Sequence, residues 1–108
     1  MNCESDISFY FLLFSMINDL NFFMSKNNRW VLLRHIGAPN DPLGMHYDLL
    51  LEDGDSCRTW RLQDIPLIDA PPQKVVRGAP HKLIWLEQFT AKLSGGRGSV
   101  ERVLKGFF

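Results

Sequence analysis

The run His46-Tyr47-Asp48-Leu49-Leu50-Leu51-Glu52 constrains the fold of this chain more than any other stretch. In an extended strand successive side chains point to opposite faces, so His46, Asp48, Leu50 and Glu52 share one face and Tyr47, Leu49 and Leu51 the other. One face is apolar and the other sets an imidazole beside a carboxylate. The preceding run from Trp30 to His35 also reads as a strand, and laid beside the first it lets His35 complete a His, His, Asp cluster. Such a mixed nitrogen and oxygen set suits a divalent transition metal such as Mn or Zn better than Ca or Mg. The alternative is ordinary: a single strand histidine is more often a surface or core residue, and a His-x-Asp pair recurs by chance. The loop from Ile36 to Met45 tips the balance, because its two Pro and two Gly fix an irregular turn that ends at His46.

Past Glu52, the Asp53-Gly54 pair signals a tight hairpin, with Cys57 to Leu62 as the returning strand. Arg58 and Arg61 fall on opposite faces of that strand, so at most one of them faces His46. Residues 63–80 carry Pro66, Pro71, Pro72 and Pro80 and read as a loop, with one short extended piece at Lys74 to Arg77. From His81 to Glu87 the alternation resumes. His81, Leu83, Trp85 and Glu87 then share a face, which makes His81 the third histidine able to look into the same interior. The segment Ser94-Gly95-Gly96-Arg97-Gly98-Ser99 is a glycine turn leading into a strand at Val100 to Leu104. Such a turn can cradle a phosphate or simply close a hairpin, and it lacks the Lys-Ser/Thr ending of a P-loop. Short strands at regular spacing with Gly and Pro turns predict a mainly β fold, a barrel or sandwich of antiparallel strands.

At 108 residues the chain holds one domain at most. Its formal charge is zero but unevenly spread: an acidic middle, where a cation can sit, precedes a final third with seven Lys or Arg against Glu87 and Glu101. Zero net charge gives general nucleic-acid affinity that is low and strongly salt-dependent. Cys3 and Cys57 match no CxxC pattern, which indicates neither a disulfide framework nor a zinc knuckle and fits a reducing cytoplasm. The apolar run Ile7 to Ile17 is broken by Asn18 and Asp19 before it reaches the ~20 residues a bilayer span needs. Glu4 and Asp6 precede it where a signal peptide would be basic. Residues 1–28 are therefore expected to form an extension with a short amphipathic or buried helix; a membrane-surface helix and a natural start at Met24 are the other readings.

Taken together, Arg34-His35, a spacer, His46-Tyr47-Asp48 and Leu51-Glu52, the Asp-Gly turn, the Trp60 strand, Pro80-His81 and Gly96-Arg97-Gly98-Ser99-Val100 resemble the 3′-phosphoesterase domain at the front of bacterial DNA ligase D. The chain is more closely similar to the small stand-alone members of that family, which share a loop of the Ala38-Pro39-Asn40-Asp41-Pro42-Leu43-Gly44 kind and an ending like Ser94 to Gly98. The resemblance covers 29–106. It implies a compact small β-barrel over 29–108 and a manganese-dependent enzyme of DNA repair, a hydrolase that removes 3′-terminal ribonucleosides and 3′-phosphates from primer ends. Carried over residue by residue, it assigns His35, His46 and Asp48 as metal ligands, with Zn as the second choice of ion. It assigns His81 to the scissile phosphate, so that His46 and His81 carry the catalysis.

The departures are specific. Leu50 stands where the ligase-linked domain has an arginine, so phosphate binding falls to Arg58, Arg61, Lys74 or Arg77, and Trp85 stands where that domain has a tyrosine. The family domain also continues with further strands after the glycine turn. That predicts a barrel incomplete at its C-terminus, with Phe107-Phe108 on an open edge able to pair with another chain. These departures favour the alternative of a non-catalytic metal-binding module that recognises nucleic-acid ends or a protein partner. The expected partners are nucleic-acid 3′ ends and a DNA ligase or polymerase.

Overall fold

The alternating runs pair into a single antiparallel sheet. In the computed structural model, which describes residues 4–7, 28–67 and 69–108, seven strands occur: β1 (Glu4–Ile7), β2 (Arg29–Ile36), β3 (Met45–Asp53), β4 (Ser56–Leu62), β5 (Gln73–Lys82), β6 (Thr90–Lys92) and β7 (Ser99–Phe107). Their order across the sheet is β1-β5-β4-β3-β2-β7-β6. The mainly β, antiparallel architecture is the expected one. The barrel is not closed, because β1 and β6 stand at opposite edges.

The hairpin between β3 and β4 has Gly54 and Asp55 as its two central residues, with Asp53 paired to Ser56. Gly54 takes φ 68° while Asp55 keeps a negative φ, the pattern of a II′ turn, whose twist matches the flanking strands. Across the ladders His35 lies opposite His46, Leu33 opposite Asp48, and Asp48 opposite Arg61. The two faces carry separate apolar clusters. On the Tyr47 face Leu32, Leu49, Leu51, Trp60, Leu62, Val75 and Phe108 pack together. On the His46 face Val31, Leu33, Leu50, Cys57 and Leu86 form the floor beneath the polar residues.

Three expectations about the second half are corrected. The loop over 63–80 stops short, because β5 runs from Gln73 through Pro80 and His81 to Lys82. Proline lacks the N–H a ladder needs, and it is accommodated at a bulge: Cys57 pairs with His81 and Thr59 with Gly78, so Ala79 and Pro80 together face Arg58. The strand expected from His81 to Glu87 ends at Lys82, and Leu83–Leu86 forms a 3-10 helix. With three residues per turn, Leu83 and Leu86 fall on one side and pack into the cluster under the site. Finally, the C-terminal strand is an open edge only in part. β6 covers Ser99–Glu101 of β7, among the described residues no strand pairs beyond them on that side, and Phe107 is exposed there, whereas Phe108 is buried, its N–H donating to the Asn28 carbonyl at 2.8 Å.

In the N-terminal extension, Glu4–Ile7 is a strand paired with Gln73–Val76 of β5 where a helix was expected to begin. The short helix expected on the run from Ile7 to Ile17 otherwise falls within 8–27, outside the described residues. Among the described residues no helix is long and apolar enough to cross a membrane. Leu49 is fully buried in the Tyr47-face cluster. Leu49→Ala is expected to cost about 2–5 kcal/mol of unfolding free energy in urea denaturation; a loss below about 1 kcal/mol would contradict this packing.

Candidate metal centre

β2 and β3 deliver the three expected ligands to one point. His35, His46 and Asp48 each offer an atom, and these atoms lie within 4.8 Å of one another. His46 Nε2 is 3.2 Å from Asp48 Oδ2, and His35 Nδ1 is 3.8 Å from the same oxygen. The two imidazole centroids are 4.9 Å apart. The group sits deep in the sheet, with His46 only 1% and Asp48 only 7% exposed.

What makes the cluster fit a cation is the far side of each ring. His46 Nδ1–H donates to Asp41 Oδ2 at 2.9 Å, and His35 Nε2–H donates to the Arg97 carbonyl at 2.8 Å. Each imidazole therefore turns its other nitrogen toward Asp48, where it is free to bind a cation in place of a proton, the arrangement by which outer partners fix the tautomer and orientation of metal-binding histidines. Asp41 is itself held, its Oδ1 accepting the Leu43 N–H at 3.2 Å within a loop closed by Gly37 N–H donating to the Gly44 carbonyl. The Arg97 carbonyl is placed by the glycine turn, which closes the β6–β7 hairpin through Leu93 N–H and the Gly98 carbonyl. Gly98 adopts φ +87°, and a Cβ there would stand 1.9 Å from the Ile36 carbonyl oxygen. Only glycine lets this turn reach the end of β2 and meet His35.

Around the cluster lies a cavity of about 360 Å³ whose lining includes His35, Asp48, Arg61, His81, Trp85 and Arg97. Of the four phosphate-binding candidates, only Arg61 reaches it. Arg58 and Arg77 lie on the opposite face, their guanidinium carbons 6.0 and 4.7 Å from the Trp60 ring centroid, and Arg58 Nε is 3.2 Å from Asp53. Lys74 sits toward the β1 edge opposite Asp6 and is not part of the lining. His81 reaches the cavity from β5, its Nδ1 lying 2.9 Å from the Thr59 hydroxyl and 3.1 Å from the Ala79 carbonyl, which leaves Nε2 for a ligand. Leu50 is fully buried in the apolar floor. Arg34, next to His35 in sequence, faces away and pairs with Glu101 over Tyr47.

Sequence reasoning missed Asp41 and the Arg97 carbonyl. Asp41 left a faint signal as an acidic residue in the loop before His46; a backbone carbonyl leaves none. Cys57 is no nucleophile, since burial pushes its thiol up to about 11. No family model, curated protein or solved structure matches the chain.

The electrostatics give a signed pH dependence. Burial alone would lower the His46 pKa, but the hydrogen bonds to Asp48 and Asp41 outweigh it and raise the value above 6.5. The hydrogen bond from His46 holds the Asp41 carboxyl below 3.8, and Arg29, through its side chain and backbone N–H, holds Glu52 below 4.5. A raised histidine stabilises the fold below its unfolded pKa and loses that contribution as pH rises through the folded one. A lowered carboxylate does the reverse on the acid side. The melting temperature of metal-free protein is therefore expected to fall as pH rises past 6.5 and to fall again below about 4. A flat profile across the upper range would contradict the His46 geometry. Asp41→Asn is expected to weaken divalent-metal binding by about 10–100-fold in a direct titration, and unchanged affinity would remove Asp41 from its orienting role.

Proposed function

We propose that this chain is a metal-dependent phosphoesterase-like domain acting on 3′-phosphate or 3′-ribonucleotide ends of nucleic acid in DNA repair. The observation that carries the reading is the convergence of a pre-oriented His35, His46, Asp48 set with Arg61 and His81 on one cavity. The likeness of its motifs to the ligase-linked domain supplies the reaction class. The two-nitrogen, one-oxygen donor set suits a divalent transition metal such as Mn or Zn, and the likeness to the ligase-linked domain makes Mn the first choice.

A divalent cation, when bound, supplies Lewis acidity to a phosphoryl oxygen and lowers the pKa of a water. The chain's own residues do the rest. Arg61, opposite Asp48 and open to solvent, offers paired N–H donors to phosphate oxygens and takes the place of the arginine that Leu50 replaces. His81, its Nδ1–H donating to the Ala79 carbonyl, turns Nε2 to the phosphate, where it would donate to a phosphate oxygen as the imidazolium. Asp41 and the Arg97 carbonyl keep the histidine rings from turning. The partners are nucleic-acid 3′ ends in the cytoplasm, with a ligase or polymerase as protein partner; self-association would use an open sheet edge, such as the part of β7 towards Phe107 that β6 does not pair with.

The burial of Leu50 favours a second reading, a metal-binding module that recognises nucleic-acid ends or a protein partner without turnover. Phosphate release from a primer-template bearing a 3′-phosphate, with Mn present, separates the two. Release is expected, abolished by His46→Ala and reduced on the order of 100-fold by Arg61→Ala. No release from folded, metal-loaded protein would sink the enzyme and leave the recognition module.

A further inference from the structure

Beside the metal cavity runs a second cavity of about 420 Å³, lined by Pro80, His81, Lys82, Ile84, Trp85 and Arg97. His81, Trp85 and Arg97 line both, so the two spaces adjoin across these side chains. The 3-10 helix borders the second space: it lies against β2 and β3 where the chain crosses from β5 towards β6, and it sets Trp85 at the junction, partly exposed, with Ile84 half-exposed beside it. Pro80, in the bulge, adds a further apolar wall.

Charge decides what fits. Among the described residues no carboxylate lines this groove, while Lys82, Arg97 and His81 do. The Arg97 guanidinium is braced by Nε donating to the Ser94 carbonyl at 2.8 Å and Nη2 to the Ser94 hydroxyl at 3.0 Å. An aromatic and apolar surface flanked by cations, one step from a phosphate seat, is how proteins hold an unpaired nucleotide: the base stacks on the ring and the backbone meets the positive charges. The volume lies within the range of small-ligand pockets, ample for one nucleoside.

We propose that the Pro80–Trp85 groove holds the unpaired terminal nucleoside whose 3′-phosphate lies at the metal cavity, its base stacked on Trp85 and its flanking backbone on Lys82 and Arg97. This inference rests on the phosphoesterase reading of the adjoining cavity and names its substrate more closely: a frayed or single-stranded 3′ end, bound without base-pair readout. Trp85, where the ligase-linked domain has tyrosine, enlarges the stacking surface.

The test compares the affinity of the full chain, with Mn present, for two short single-stranded DNAs that end in a non-hydrolysable 3′-methylenephosphonate and differ only in whether the last base is present or abasic. The base-containing strand is expected to bind about 5- to 150-fold more tightly. That ratio should persist in Trp85→Phe and collapse toward unity in Trp85→Leu. Should Trp85→Leu fail to fold, Ile84→Glu serves instead: this half-exposed position tolerates the change, and the introduced carboxylate should cut the ratio. Equal affinity for the two strands, or a ratio indifferent to Trp85→Leu and Ile84→Glu, would overturn the groove. Titrations with Mn and inorganic phosphate keep the two claims apart. Equal affinities in a protein that binds both refute the groove alone, and base discrimination in a protein that binds neither supports the groove and refutes the phosphoesterase reading.

Discussion

The structure depends on the register of β2 against β3. With His35 opposite His46 and Leu33 opposite Asp48, two imidazoles and a carboxylate meet on one face, while Leu32, Tyr47 and Leu49 join the cluster on the other. Side chains alternate with a period of two, so a slip of one residue would part His35 from His46 and Asp48 and set the leucines of one strand against the wrong face of the other. Both faces are buried around this pair, which makes such a slip costly and the register firm. β4 and β7 then pair on its two sides, and the II′ turn and the glycine-rich hairpin deliver Arg61 and the Arg97 carbonyl to the same end of the sheet.

Placing His46 and Asp48 where water barely reaches would be destabilising if either were left unpaired. Here every ring nitrogen of His35 and His46 faces a polar neighbour. Asp41 takes the outer nitrogen of His46, Arg97 takes that of His35, and the inner nitrogens converge on Asp48. The cost of burial is thereby converted into orientation. A proton on His46 is held by the same two carboxylates, so a cation bound at the cluster would compete with it.

Much of this was legible in the amino-acid sequence, for physical reasons that also mark where legibility ends. The strands β2, β3 and β4 follow from alternation and the Asp-Gly turn, and His35, His46 and Asp48 follow from counting along them. The choice between Arg58 and Arg61 hinged on loop length. A two-residue connection sets odd-numbered β4 residues beside even-numbered β3 residues and so selects Arg61; a three-residue one would have selected Arg58. Pro80 argued for a loop because a bulge that tolerates proline depends on the partner strand. The 3-10 helix was hidden because Leu83, Trp85 and Leu86 fit a strand pattern as well as a tight helical turn over so short a span. Asp41 and Arg97 act through a folded-back loop and a backbone carbonyl, neither of which periodicity can register.

The central claim is that His35, His46 and Asp48 bind one divalent ion through two imidazole nitrogens and a carboxylate. Pulsed electron paramagnetic resonance on the full chain with added Mn tests it directly. The account predicts a tightly bound ion with couplings to two histidine nitrogens, one of which disappears in His35→Ala. Binding without nitrogen coupling, or no binding near stoichiometric Mn, would contradict it.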